Sequence, residues 1–191
     1  MPYSSDVFDD LVQKIFDYIA PKKFLDIGSG AGKYITMMRR VIPESYIVAI
    51  EIESKYISQF DLTSIANEVR CMEAVEQIKN VDENYDLAVF GDSIEHMRKS
   101  DGMDLLHFLV YRTNFILVVY PNRYIQNSVD GVVSEAHLSV WSEQDFSCLK
   151  HTNIIEMDGQ RLIVVEGYLS KDEDIVHIEN IVNSHFREMK T

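Results

Sequence analysis

Residues 22–32 read KKFLDIGSGAG, a short apolar run that ends in three glycines within five positions. Glycine takes left-handed backbone conformations without a Cβ penalty and lets a ligand approach the main chain. The stretch therefore predicts a buried strand, a tight turn, and a helix whose N-terminus points at something bound. Three alternatives compete for that turn. A phosphate-binding P-loop needs glycine at position 27 and Ser or Thr at position 34, where this chain has Ile27 and Tyr34. A dinucleotide turn needs G-x-G-x-x-G, and here the third glycine arrives one residue early. Asp26, at the strand end, is awkward beside a pyrophosphate but suits a cationic ligand. The remaining alternative is a plain strand-to-helix turn.

The rest of the chain continues the rhythm. Val7, Phe8, Leu11, Val12, Ile15, Phe16 and Ile19 recur at helical spacing over 5–19, with Ser5 or Asp6 as the cap and Pro21 as the stop. After the turn come a helix over 31–41, a strand over 45–52, a short helix over 53–60, a strand over 67–72 and a helix over 73–80. A strand over 85–92, a helix over 101–112 and a strand over 114–120 follow. This alternation predicts an α/β fold: a Rossmann-like three-layer sandwich on a mostly parallel sheet. Residues 152–157 and 161–169 then form an antiparallel hairpin around Asp158-Gly159-Gln160, bringing the sheet to seven strands with an antiparallel last strand. Between the strand over 114–120 and this hairpin, 121–141 holds no clear strand and reads as a substrate lid, and Ser142 caps a helix over 142–149. The domain spans 1–170. Residues 171–191 form a C-terminal amphipathic helix, whose apolar face is as well suited to its own domain as to a second copy in a homodimer.

Charge and composition narrow the class. Lys and Arg number 18 against 31 Asp and Glu, a net charge of −13, so a nucleic acid is a disfavoured partner. No apolar run reaches the roughly 18–20 residues of a membrane span, the first residues lack the pattern of a secretory leader, and Cys71 and Cys148 stand far apart. A cytoplasmic protein without disulfides is the expectation.

In a doubly wound sheet, ligands sit at the carboxyl ends of the strands. Glu51 and Ile52 close the second strand, about twenty residues past the glycines. The carboxylate is placed to accept from ribose hydroxyls and the isoleucine to cover a base; the alternative is a solvated strand-end acid. Glu73 and Ala74 follow the third strand, where Glu73 either reaches the base or complements a helix dipole. Gly91 and Asp92 close the fourth. Histidine is the first candidate for a base near neutral pH. His96 lies just past the fourth strand, and His137 in the lid with Trp141 four residues on, so that both would face one pocket if that stretch were helical. Either histidine could instead order a loop, and Trp141 could anchor the lid. Arg123 and Tyr124, after Pro121, are placed to touch a substrate. Asp92, Glu95 and His96 are close in sequence, but no metal site is expected.

LDIGSGAG at 25–32, AIEIE at 49–53, MEA at 72–74, YDLAVFGDSIEHM at 85–97 and the closing hairpin resemble the class I S-adenosylmethionine-dependent methyltransferase superfamily. The resemblance implies S-adenosylmethionine as cofactor, with contacts from Gly28, Gly30, Glu51, Glu73 and Asp92; Ser29 and Gly32 belong to the same turn. The DSIEH run is similar to the small-molecule branch, and the Asn/Asp-Pro-Pro-Tyr/Phe signature of amino-directed methylases is missing. The expected activity is methyl transfer to an oxygen or nitrogen of a small polar metabolite, a sugar or secondary metabolite. A protein or carrier-bound acceptor, or a non-catalytic cofactor-binding module, are the alternatives.

Overall fold

The central apolar runs become strands because each can be buried on both faces. The computed structural model describes residues 3–171 and 173–188. Its strands are β1 Lys23–Ile27, β2 Tyr46–Ile50, β3 Glu68–Arg70, β4 Tyr85–Gly91, β5 Thr113–Pro121, β6 Ile155–Met157 and β7 Gln160–Glu166. They form a seven-stranded sheet in the order β3-β2-β1-β4-β5-β7-β6. The β3-β2-β1-β4-β5 part is parallel, and β7 enters antiparallel between β5 and β6. The order reverses at β1 and β4, which lie side by side, and this is where such a sheet opens a crevice.

The helices are α1 Asp9–Ile19, α2 Lys33–Val41, α3 Ser54–Gln59, α4 Leu62–Ile65, α5 Lys99–Val110, α6 Glu143–Phe146 and α7 Asp174–Glu188. Alternate strand residues face opposite layers. Phe24, Ile47, Ala49, Leu87, Val89 and Leu117 pack against α1, α2 and α7. Leu25, Ile27, Val48, Ala88, Phe90 and Ile116 pack against α5 and Trp141. The three-layer sandwich is therefore the observed architecture. Ile175, Ile178 and Val182 of α7 join the cluster built on Leu11 and Ile15 of α1, so this helix packs on its own domain. Residues 1, 2, 172 and 189–191 of the expected termini lie outside the described residues. Among the described residues no helix is long and apolar enough to cross a membrane.

Several elements are shorter than their patterns suggest. Helix α1 starts at Asp9 and not at Ser5, and no side chain caps it. Ser5 is drawn away because its amide donates to Asp92 Oδ2 at 2.8 Å, while Ser4 Oγ donates to Gly91 O at 2.9 Å. Residues 74–79 form a 3₁₀ helix in place of an α-helix. The hairpin turn is tighter than its sequence reading, with only Asp158 and Gly159 between β6 and β7, both at positive φ as a type I′ turn requires.

The edge strand β3 and the 3₁₀ helix are tied by Arg70. Its guanidinium reaches Glu68, Gln77 and Glu83, each at 2.7 Å. The arginine holds the Glu83 carboxyl down at about 2, with the Tyr85 hydroxyl helping and burial opposing. Because this pKa is lower folded than unfolded, the pair stabilises the fold above about pH 4.3, and the contribution disappears as pH falls toward 2. Arg70→Met should therefore cost about 1–2 kcal/mol at pH 7, after allowing for solvent screening. Thermal melts of both proteins from pH 7 to 2 should converge; a gap independent of pH would show that the methylenes, and not the charge, matter.

Candidate active site

The turn after β1 is shaped by its glycines. Gly28, Gly30 and Gly32 all have positive φ. The Gly28 and Ser29 amides donate to Ile50 O at 2.9 and 3.0 Å, which stitches the turn to the end of β2. A Cβ on Gly28 would come within 2.6 Å of Ser93 Cβ, so the turn and the loop after β4 meet in close contact. Ser93 Oγ locks this contact by donating to Ile27 O at 2.6 Å. Gly32 plays a different part from the one expected. A Cβ there would strike Ile65 and Leu62, so its smallness lets α2 approach α4.

These elements border a cavity of about 780 Å³, inside the roughly 300–1,000 Å³ range of small-molecule sites. Gly28, Gly30, Glu51, Ile52, Glu73, Ala74, Gly91, Asp92 and His96 line it. Asp26 and Ser29, expected beside them, are buried behind the lining. Burial pushes the Asp26 carboxyl up to about 7; a hydrogen bond from Ser29 opposes this and the nearby Glu51 charge adds to it. Glu51 accepts from the Gly30 amide at 2.7 Å and the Glu53 amide at 2.8 Å. Burial raises its pKa while those two amides oppose the rise. A carboxylate offers about four acceptor positions, so Glu51 keeps capacity for a ligand's hydroxyls. Burial likewise raises Asp92, with the Ser5 amide and Lys33 opposing.

Several lining residues carry no signal in the sequence pattern. Tyr3 and Ser4 reach the cavity because the segment before α1 crosses β4. Tyr56, Ser134 and Glu135 close another side. Ser134 Oγ donates to Glu53 Oε1 at 2.5 Å and pins the long segment over the end of β2. Burial and then a hydrogen bond with Glu135 push the Tyr56 phenol up. The lining holds six carboxylates (Glu51, Glu53, Glu73, Asp92, Asp101 and Glu135) against one arginine, Arg98. Such a cavity favours positive ligands and repels phosphates.

The residues after β5 divide into two groups. His137 stands edge-on to His96, with ring centroids 4.7 Å apart, and its Nδ1 lies 2.9 Å from Tyr124 O. Burial and then His137 lower the His96 pKa. Trp141, however, does not share a pocket with His137. The stretch 136–142 is not helical, because the Leu138 and Ser139 amides are spent on Glu95 O. Trp141 is buried, donates from Nε1 to Ile94 O and Ser139 Oγ, and lies under Lys99 Nζ at 4.0 Å from the ring centroid. With Arg123 it borders a separate depression of about 650 Å³. Arg123 turns away at positive φ, and the Tyr124 side chain is exposed, its ring edge-on to His137 with centroids 5.5 Å apart.

No protein-family model matches the chain, and no curated protein matches it. Solved structures do. An S-adenosylmethionine-dependent methyltransferase from Archaeoglobus fulgidus superposes with a TM-score of 0.62 at 13% identity, over 83% of this chain and 91% of that one. An O-methyltransferase family protein from Burkholderia thailandensis gives a TM-score of 0.62 at 12% identity, over 85% of this chain and 55% of that one. The N-terminal domain of EvdMO1, with S-adenosylhomocysteine bound, gives 0.60 at 13% identity, over 86% of this chain and 82% of that one. The chain spans about half the length of the Burkholderia protein. The sheet order, the antiparallel β7 and these superpositions agree: the chain has the Rossmann-like fold of the class I S-adenosylmethionine-dependent methyltransferases.

Proposed function

We propose that the chain binds S-adenosylmethionine in this cavity and transfers its methyl group to an oxygen or nitrogen of a small polar acceptor. The observation that carries the reading is the acidic cavity floored by glycines. A sulfonium and an ammonium suit six carboxylates, whereas a pyrophosphate does not. Gly28 and Gly91 leave main chain bare on the floor, where a Cβ would already collide with the protein's own atoms. Glu51, held by two amides, accepts from the ribose hydroxyls, and Ile52 and Ala74 cover the base, with Glu73 at its edge. Asp92 and the buried Asp26 carboxyl stabilise the positive end. The bound cofactor supplies an activated methyl group, so the protein's remaining task is to hold the acceptor in line and to exclude water.

His96 and His137 are the groups assigned to the acceptor. His96 lines the cavity and is neutral near pH 7 because burial lowers its pKa. An uncharged imidazole can orient a hydroxyl and accept its proton. The 121–141 segment acts as the lid: it carries His137 and is pinned by Ser134 at the opposite rim. Arg123 and Tyr124 lie at its outer edge and would meet only a longer acceptor. EvdMO1, which has this fold, was also crystallised in the presence of S-adenosylhomocysteine and D-fucose. That supports a sugar-like acceptor.

Calorimetric titration with S-adenosylmethionine, S-adenosylhomocysteine and NAD tests the reading. The first two should bind at micromolar concentrations and NAD should not. Glu51→Ala should weaken S-adenosylhomocysteine by about 1–3 kcal/mol, since it removes charged hydrogen-bond acceptance. Unchanged affinity would remove Glu51 from the ribose, and no binding by the unmodified protein would end the proposal.

A further inference from the structure

After β4 the chain enters a short 3₁₀ turn, Ile94–His96, and the lid returns over it. The Leu138 and Ser139 amides donate to Glu95 O at 2.8 and 3.1 Å. This closure gathers Glu95, His96 and His137, and one ligating atom from each lies within 4.8 Å of the other two. The ring nitrogens are not equivalent. His96 Nδ1 lies 3.3 Å from Ala136 O, and His137 Nδ1 lies 2.9 Å from Tyr124 O. A proton on each Nδ1 satisfies both carbonyls and leaves a lone pair on each Nε2. This is how proteins orient an imidazole that holds a metal, with the second nitrogen given to a main-chain carbonyl. Glu95 adds an independent observation. The residue is 3% exposed, and its Oε2 has no hydrogen-bond partner. A buried carboxylate oxygen in that state calls for a proton or a cation.

We propose that Glu95, His96 and His137 form a site for a divalent cation of the Mn²⁺, Co²⁺ or Zn²⁺ class, at the acceptor end of the cavity. Two imidazoles and one carboxylate suit these ions; Mg²⁺ and Ca²⁺ prefer oxygen ligands throughout. Three protein ligands leave an open position, and His96 lines the cavity. The cation changes how the imidazoles act, since their lone pairs now hold it. The inference here rests on the methyl-transfer reading. An acceptor hydroxyl in the open position becomes more acidic and releases its proton to water. The oxygen–methyl bond forms as the sulfur–methyl bond breaks, and that bond's electron pair stays on sulfur as a neutral thioether. An acceptor with two neighbouring oxygens, such as a vicinal diol, would hold the cation through both.

The test uses the full chain stripped with a chelator and titrated with Mn²⁺ by electron paramagnetic resonance, with Co²⁺ by absorption, and with Zn²⁺ by competition. One saturable ion per chain is expected. His137→Ala and Glu95→Gln should each weaken it at least about a hundredfold, since even outer-shell losses reach that size. His137 lies on a half-exposed segment, so its variant should keep the parent's thermal melt. Absence of saturable binding of all three ions, or His137→Ala binding like the parent, would overturn the site. The same stripped samples are titrated with S-adenosylhomocysteine. Its binding without metal binding removes the cation and leaves methyl transfer standing; metal binding without it keeps the site and removes that reading.

Discussion

Gly91→Ala should destabilise the protein by about 3 kcal/mol, the upper part of the usual overpacking range. A Cβ at this position would lie 1.8 Å from Cε2 of Tyr34 and 2.5 Å from its Cδ2. The ring cannot simply turn aside, because Tyr34 is 4% exposed and packs in the layer between α2 and the sheet. For a chain of this size the cost corresponds to a fall of about 6–12 °C in melting temperature. A double-mutant cycle identifies the cause. In a Tyr34→Ala background the same substitution should cost little, because the colliding ring is gone. An equal cost in both backgrounds would show that β4 itself, and not the ring contact, rejects the methyl group.

Gly28→Ala should reduce S-adenosylhomocysteine affinity about a hundredfold. Two penalties combine: a left-handed φ costs about 1–2 kcal/mol for a residue with a Cβ, and the new Cβ meets Ser93 Cβ at 2.6 Å. Ser93 cannot retreat freely, because its hydroxyl is bonded to Ile27 O. The chain would relieve this by shifting the turn, and binding would have to shift it back. Gly159→Ala is the control. It has the same positive φ but open space around its Cβ, so it should carry only the backbone cost and leave affinity unchanged. A Gly28→Ala protein that loses stability but binds normally would place the cofactor away from this turn.

Both residues stand in the sequence motifs, and so does most of the architecture. Strand order could be argued because β-branched runs alternating with helical periods admit few arrangements, and Asp158-Gly159 marks its own hairpin. The cavity was legible where its residues close parallel strands, as Glu51, Gly91 and Asp92 do. It was not legible where long-range contacts decide position. Ser5 looks like a helix cap by local preference, yet its amide is taken by Asp92, 87 residues away. Trp141 at four residues from His137 implies a shared face only if the backbone is helical, and two amides committed to Glu95 O prevent that. Glu95 reads in the sequence only as a neighbour of Asp92 and His96, with no metal site expected and nothing to link it to His137. Its burial becomes visible only when the lid is folded back over it.

The reversed direction of β7 has a bearing on how this scaffold can change. Because β7 pairs antiparallel with β5, it meets the crevice with its first residues. The Gln160 amide nitrogen, oriented as its surroundings require, donates to Asp92 Oδ1 at 3.0 Å. The Asp158-Gly159 tip therefore sits at the carboxyl end of the parallel strands, joined to the segment after β5 where the Asn122 amide donates to Gly159 O at 2.7 Å. A Cβ on Gly159 would meet nothing within 4 Å. Residues grafted there would extend past the carboxyl ends of the parallel strands without disturbing the core, so this rim can be reshaped by lengthening a surface turn while the glycine turn and its cavity stay as they are.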